Sequence, residues 1–485
     1  MDRAELRRRL VAETWDVLVI GGGITGAGVA LDAASRGLRT ALVEACDFAS
    51  GTSSRSSKFV HGGLRYLRSH DFGLVAQSVA EQRRLLRNAP HLVHPVPLLL
   101  PVAGVARRLA AGAVLALHDL AAGTGVSRPV RGGLVFHEAQ VDDARLTLAV
   151  VRTAVLGHGA VAVNACPVAA VDGQGVTLAG GERVRARVVV NAAGPDADRV
   201  RALAGPAAAV LRPTKGVHVV VARDRLPLTT GLVLPDGAGG FAFAVPWEDR
   251  VVVGTTDTPH RGGPVECTAD DVALLLARVN PALAHPLGPG DVLGRWAGLR
   301  PLVEGGRSAR AELARRHLVA TGPGGMVTVV GGKLTTYRRM ASDAVDVACA
   351  RLGVRAASRT TRLPLRGAGL RRPDGVDERL WRRYGTEAAA VQALARAEPG
   401  LAAPLVPGLA YLRAEAVWAV REEMALTLDD VLSRRTRATI LDAGAAAAAG
   451  PAVAALLAPE LGWSEQESRR QVAAYLAAAA VQPAR

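Results

Sequence analysis

The spacing of apolar and polar positions divides the 485 residues into three kinds of pattern. Near the start, short uninterrupted apolar runs flank a small-residue segment, as expected of strands buried on both faces of a parallel sheet. Val17–Ile20 is predicted as a strand, Ala27–Ser35 as a helix ended by Gly37, and Thr40–Val43 as a second strand. From Leu211 the pattern becomes two-residue alternation in GVHVVVARD, GLVLPD and FAFAVPWEDRVVVGTTDT, which predicts a mostly antiparallel sheet. Beyond about Ala356 the chain is rich in Ala and Arg and helical to its end. Helical spacing also marks Phe72–Asn88, Ala106–Leu120, Val141–Ala160, Asp270–Val279 and the stretch from Lys333 to about Gly353. Prolines 90, 95, 97 and 101 interrupt the region after the first of these, and Arg300 falls in a turn before Pro301.

The first strand runs into Gly21, Gly23 and Gly26, spaced G-x-G-x-x-G, and the second delivers Glu44 eighteen residues past Gly26. Strand, glycine turn, helix, strand and acid in this order predict a dinucleotide site. The glycines allow a tight turn and close approach of a pyrophosphate, the helix start offers partial positive charge, and the carboxylate suits ribose hydroxyls. The expected fold class is α/β, a Rossmann-like dinucleotide-binding domain carrying an inserted antiparallel-sheet domain and followed by an all-α domain. The boundaries expected are 13–90, 140–210 and 290–355 for the nucleotide domain, 91–139 and 211–289 for the cap that covers substrate, and 356–485 for the helical domain.

Composition adds exclusions. The formal net charge of +15 raises the possibility of nucleic acid or an anionic membrane, but the arginines are scattered and aromatics make up only 4%, too few to interleave with bases. No nucleic-acid partner is expected. MDRAELRRRLVAET has no apolar core of a secretion signal, and the runs Ala443–Leu457 and Pro95–Val105 read as short or broken by Gly and Pro, so no spanning helix is expected. Cys46, Cys166, Cys267 and Cys349 are far apart, which argues against a zinc site or a disulfide framework.

Only three of the 59 basic residues are lysines, and each lies in a segment with glycine or histidine: SSKFVHGG, TKGVH and GGKLTTY. Lysine is a compact point charge with a tunable pKa, so Lys58, Lys215 and Lys333 read as functional. ASGTSSRSSKFVHGGLRYL, rich in hydroxyls and glycine, reads as a loop that wraps phosphate and ring edges. VVVNAAGP ends a buried strand where a cofactor could pass without side-chain obstruction, and Asp142 or Asp143 can cap the start of the helix Val141–Ala160.

The segments GGGITGAG, TSSRSSKFVHGGLRYL, VDDARL, KGVHVVV, PWEDRVVVGTTDT, GLRPL and GGKLTTYRRMA together resemble the FAD-dependent glycerol-3-phosphate dehydrogenases, within the D-amino-acid-oxidase-like flavoproteins. The resemblance covers most of the chain, and YLRAEAVWAVREEMALTLDDVLSRRTRATILD is similar to the C-terminal domain of that family. Thr25 departs from the commoner pattern of the glycine turn. The resemblance implies non-covalent FAD, oxidation of sn-glycerol 3-phosphate to dihydroxyacetone phosphate, and electrons passed to a membrane quinone. A cytoplasmic chain held peripherally at the inner face of the cell membrane, with the apolar stretch from His91 to Leu120 facing it, and a homodimer are further expectations. The rival reading is a related flavin oxidase that hands electrons to oxygen.

Oxidising an alcohol beside a phosphate needs a hydride acceptor, a base and fixed cations. Arg65, Arg300 and Arg315 are candidates for oxyanion contact and Lys333 for a compact cation near the reacting centre. His61 is the first candidate base and His218 the second; Tyr66 and Thr335 are candidate hydrogen-bond partners of substrate, and Asp257 reads as a turn-former. Cofactor contacts are expected from Gly21, Gly23, Ile24, Thr25, Gly26, Glu44, Ala45, Thr52, Ser53, Ser54, Ser57, Lys58, His61, Gly62, Gly63, Val168, Ala193, Gly194, Gly332, Lys333, Leu334 and Thr335.

Overall fold

The computed structural model describes residues 1–63, 72–102, 104–125, 127–130, 132–235, 241–303 and 317–480. Two sheets and a helical domain make up the architecture. In the first sheet the order is His317–Thr321, Val327–Gly331, Arg183–Asn191, Thr14–Ile20, Thr40–Val43, Val161–Val163. Thr14–Ile20 pairs in parallel with both neighbours, Val17 standing opposite Thr40 on one side and Val188 on the other. Val17, Leu18, Val19, Ala41 and Leu42 are fully buried, which is why these strands read as continuous apolar runs.

The helix after the first strand begins at Ile24, three residues earlier than the apolar pattern suggested, because Gly26 lies inside its first turn. Helix Tyr337–Leu352 packs against it, and a Cβ on Gly28 would come within 2.8 Å of the Tyr337 ring. The sheet and these two helices share the largest apolar core.

The second sheet runs Thr258–Pro259, Thr214–Ala222, Arg250–Gly254, Phe241–Trp247, Gly231–Pro235, Val93–Pro101, Gly133–Val141, Phe59–Val60. Val292–Arg300 also pairs with Thr214–Ala222, over its whole length. Two features differ from the sequence reading. Arg300 closes a strand of the second sheet instead of sitting in a turn of the nucleotide domain, so the boundary drawn at 290 cuts before a strand that belongs with the cap. Val93–Pro101 is a strand despite its prolines. Pro95, Pro97 and Pro101 share one parity, so the missing N–H groups all fall on the same side of the strand.

The C-terminal domain packs Leu428, Val431, Leu432, Ala446, Val453 and Leu457 into one core with Val220, Trp247, Val252 and Trp296 of the second sheet. Its helix Ala443–Leu461 corrects the expectation of a broken run: it continues through Pro451 and Pro459. Both prolines are exposed, so the carbonyls they leave unpaired lie toward water. By length and composition this is one helix that could cross a membrane, but Ala446, Ala449, Val453, Ala454 and Leu457 face the domain core.

A buried ion pair ties this domain to the first sheet. Asp47, just past the second strand and 3% exposed, accepts from Arg434 Nε at 2.7 Å and from both terminal nitrogens of Arg435 at 2.7 and 2.9 Å. These guanidinium groups hold its carboxyl down at about 2 against the cost of burial. Its folded pKa lies below the ordinary value of about 3.9, so the pair stabilises fully above about pH 4 and that stability is lost as pH falls toward 2. Asp47→Asn leaves two buried cations short of a partner and should cost about 3–5 kcal/mol in denaturant unfolding at pH 7. The gap between wild type and variant should narrow as the pH is taken below about 4.

Candidate active site

The site is built outward from the glycine turn. Gly21 has φ +111°, and a Cβ there would lie 2.7 Å from Ala192 O; a Cβ on Gly26 would lie 1.8 Å from Gly21 O. Strand, turn and helix therefore close on each other only with glycine at both positions. Gly23 caps the helix without a side chain, and Ser53 Oγ accepts from Ile24 N at 2.9 Å. Thr25 is half-buried at the same helix start. Ala193 and Gly194 lie beside Gly21 at the end of Arg183–Asn191, with Ala193 N donating to Asn191 Oδ1 at 3.1 Å.

Glu44 directly follows the second strand, and its carboxylate accepts from Gly22 N at 2.6 Å and Cys46 N at 2.9 Å. Burial raises its pKa, opposed by those two amides. Ala45 is exposed beside it, and Val168 opens a strand two residues past Cys166, whose amide donates to Glu44 O at 2.8 Å. Backbone donors at a helix start and a carboxylate past the second strand fit a dinucleotide cofactor.

The loop Thr52–Gly63 then joins distant parts of the chain. Thr52 Oγ1 donates to Leu299 O at 2.7 Å, next to Arg300, and Ser57 Oγ lies 2.9 Å from His218 Nε2. At the loop's far end His61 O accepts from Thr335 Oγ1 at 3.3 Å, two residues past Lys333. Gly62 N donates to Glu138 Oε2 at 2.9 Å, and Gly63 follows with φ +82°. The loop thus contacts His218 and the residue beside Arg300 from its first half, and Thr335, two residues past Lys333, from its far end.

Arg300 donates from Nη1 to Asp257 Oδ1 at 3.0 Å and from Nη2 to Thr255 Oγ1 and Thr256 O at 3.1 and 3.0 Å. Asp257 therefore orients Arg300, a task beyond forming a turn. Lys333 follows the Gly331-Gly332 turn, where Gly332 has φ +66°, and its Nζ donates to Ser78 Oγ at 3.4 Å. Leu334 is half-buried and opens the short helical turn Leu334–Thr336.

His218 is 2% exposed and stacked on Trp296 with ring centroids 4.8 Å apart. Burial first, then the positive charges of Arg300 and Lys58, push its pKa well below the usual histidine range, so its imidazole is neutral at pH 7.

The other two lysines have their charges committed elsewhere. Lys58 is 1% exposed, with Nζ donating to both Asp143 oxygens at 2.7 and 2.8 Å, so its ammonium serves Asp143 although its backbone lies in the loop. Lys215 Nζ pairs with Asp271 at 2.5 Å and fastens helix Ala269–Val279 to the second sheet. Arg65, Tyr66 and Arg315 lie outside the described residues.

Sequence reasoning took Asp143 only as a possible helix cap and passed over Glu138 and Gln82. Asp142 is the helix cap, while Asp143 turns inward to Lys58 and to Ser56 N at 2.9 Å. Glu138, 6% exposed, also accepts from Gln82 Nε2 at 2.8 Å, and burial pushes its carboxyl up to about 7. The doubled acid of VDDARL was the one signal available for Asp143; nothing local marked Glu138.

This fold and donor set define an FAD-dependent oxidoreductase: the family model described as FAD dependent oxidoreductase matches residues 16–338. A second model, described as the C-terminal domain of alpha-glycerophosphate oxidase, matches residues 358–468. Glycerol-3-phosphate dehydrogenase 2 of Mycobacterium tuberculosis (strain ATCC 25618 / H37Rv) is 39% identical over 98% of this chain and 90% of its own length. The probable mitochondrial glycerol-3-phosphate dehydrogenase of Caenorhabditis elegans is 35% identical over 95% of this chain and 72% of its own. Among solved structures, the glycerol-3-phosphate dehydrogenase of Bacillus halodurans complexed with FAD superposes with a TM-score of 0.80 at 30% identity, covering 99% of this chain and 97% of that one. The chain belongs to the glycerol-3-phosphate dehydrogenase family.

Glu44→Ala removes the charged acceptor past the second strand. Its FAD affinity should fall about 10- to 100-fold, the equivalent of one charged hydrogen bond, measured by flavin absorbance retained after gel filtration and by titration.

Proposed function

We propose that this chain oxidises sn-glycerol 3-phosphate to dihydroxyacetone phosphate and passes the electrons to a membrane quinone. The observation that carries the oxidation is the 39% identity to a glycerol-3-phosphate dehydrogenase over 98% of the chain, joined to a loop that carries His61 and touches His218, Leu299 and Thr335. FAD held by the glycine turn and Glu44 supplies the hydride acceptor. Arg300, fixed on three oxygens, offers a planar fork for an oxyanion, and Lys333 a compact cation for a phosphate or a developing alkoxide. His61 is the proposed base for the hydroxyl proton; His218, whose protonation burial and two cations disfavour, is the second candidate, its ring plane fixed by stacking on Trp296. Arg65 and Tyr66, which follow Gly63 in the sequence, and Arg315 complete the proposed substrate contacts.

The reading of peripheral membrane contact is supported by helix Val105–Ala122. Leu109, Leu117 and Leu120 are 71%, 70% and 76% exposed on it, a stripe that water solvates poorly. The net charge of +15 favours an anionic surface. A second reading, with oxygen as acceptor, is favoured by the match of residues 358–468 to a domain described from an oxidase.

Anaerobic glycerol 3-phosphate should bleach the bound flavin, and a soluble quinone analogue should restore its colour much faster than air; rapid peroxide formation would assign the oxidase instead. Lys333→Met and Arg300→Leu should keep FAD and lose at least about tenfold in kcat/KM, as expected for removal of a charged contact. Full turnover in either variant removes that residue from the mechanism. Leu117→Asp combined with Leu120→Asp should abolish sedimentation with anionic vesicles while a water-soluble dye is still reduced at the wild-type rate; unchanged sedimentation excludes this helix as the contact.

A further inference from the structure

The peptide Ser54–Lys58 is pinned at nearly every residue, and one of the pins comes from the C-terminal domain. Lys58 Nζ donates to Ser54 O at 2.8 Å, and Arg437 Nη2 donates to the same carbonyl. Asp143 Oδ1 accepts from Lys58 at 2.7 Å and from Arg437 at 3.3 Å, so one carboxylate and one carbonyl are shared by two cations. Trp296 Nε1 donates to Arg55 O at 3.1 Å, and the Lys58 ammonium lies 5.0 Å from the centroid of that same indole. Trp296 also stacks on His218, which meets Ser57.

Arg437 is 1% exposed and has φ +61°, a left-handed conformation disfavoured for a residue with a Cβ. A buried guanidinium in a strained backbone, at the start of a four-residue helix, persists only if the surroundings over-determine it. Its partners supply that: Ser433 O accepts from Nη1 at 2.8 Å, and Asp142 Oδ1 is 3.6 Å from Nε. Burial and the neighbouring Arg437 charge draw Lys58 down to about 8, and Asp143 pulls the other way.

We propose that Arg437, with Asp143 and Lys58, is a positioning residue through which the C-terminal helical domain holds the cofactor loop Thr52–Gly63 closed. The proposal rests on the reading that this loop borders the flavin. Without the C-terminal arginine, Ser54 O and Asp143 are served by Lys58 alone, the loop opens, and FAD escapes from an otherwise folded protein. The domain would then govern cofactor retention without contributing a group to the reaction.

The test starts from purified holoenzyme and follows flavin release on dilution by the rise of free FAD fluorescence, with circular dichroism monitoring the fold. Arg437→Met should release FAD at least about tenfold faster than wild type at a temperature where the fold is intact, the size expected for one buried charged hydrogen bond. Arg437→Lys, which keeps the charge but cannot span Ser433 O and Ser54 O with two nitrogens, should fall between the two; if the methionine variant does not fold, this one decides. Arg383→Met is the control for general destabilisation. It breaks an equally buried pair with Glu415 away from the loop and should lower thermal stability without speeding release. Wild-type release from folded Arg437→Met, or from Arg437→Lys, overturns the proposal, as does equal acceleration by Arg383→Met. Hydrogen exchange at residues 52–63 before and after flavin release separates the two ideas. Unchanged exchange removes the reading that the loop borders the flavin. Exchange that rises on release, with wild-type release rates in the Arg437 variants, removes the clamp alone.

Discussion

Asp143 is a carboxylate with no access to water, and the arrangement of the site depends on how its charge is satisfied. It takes an ammonium from Lys58, a guanidinium from Arg437 and the backbone amide of Ser56. A buried ion of this kind is stable only if nearly all of its lone pairs are occupied, and breaking any one contact leaves charge stranded in a medium that screens it poorly. The consequence is geometric. Before Phe59 the loop is mostly serine and has no apolar side chains with which to order itself, so the shape of Thr52–Lys58 is imposed by the charged and aromatic groups packed around it.

The same economy appears at the other end of the segment. Asp47 joins Arg434 and Arg435 as Asp143 joins Lys58 and Arg437, so two consecutive stretches of the C-terminal domain grip both ends of the chain between the second strand and the second sheet. The apolar core that this domain shares with Trp247 and Trp296 supplies most of the burial, and the ion pairs set the register, since a shift of one residue would leave several cations unpaired. Beyond that interface, Arg300 stays partly exposed at a strand end and His218 is kept neutral by burial, so a cation and a lone pair stand near each other without one cancelling the other.

Much of this was legible in the residues. The glycine spacing and Glu44 are local features, because a tight turn and a strand end are made by residues close in sequence, and both appear in the fold as read. The alternation from Leu211 marked the second sheet for the same reason. The errors lie where position along the chain and position in space part company. Arg300 read as a turn because Pro301 follows it, yet its strand is held by Thr214–Ala222, about eighty residues earlier. The prolines of Val93–Pro101 read as breaks because their shared parity matters only once a neighbouring strand is present. All three lysines read as functional from their segments, and only the fold shows that two of them face buried carboxylates.

By itself, then, the sequence determined the cofactor class, the two-sheet-and-helices organisation and the short segments from which the site is drawn. Those depend on local backbone geometry and on the period of the apolar residues. Which side chains meet, and in what charge state, was decided by the tertiary structure alone. Burial and electrostatic partnership are properties of a three-dimensional neighbourhood, and Arg437 lies 383 residues from the Ser54 carbonyl it holds.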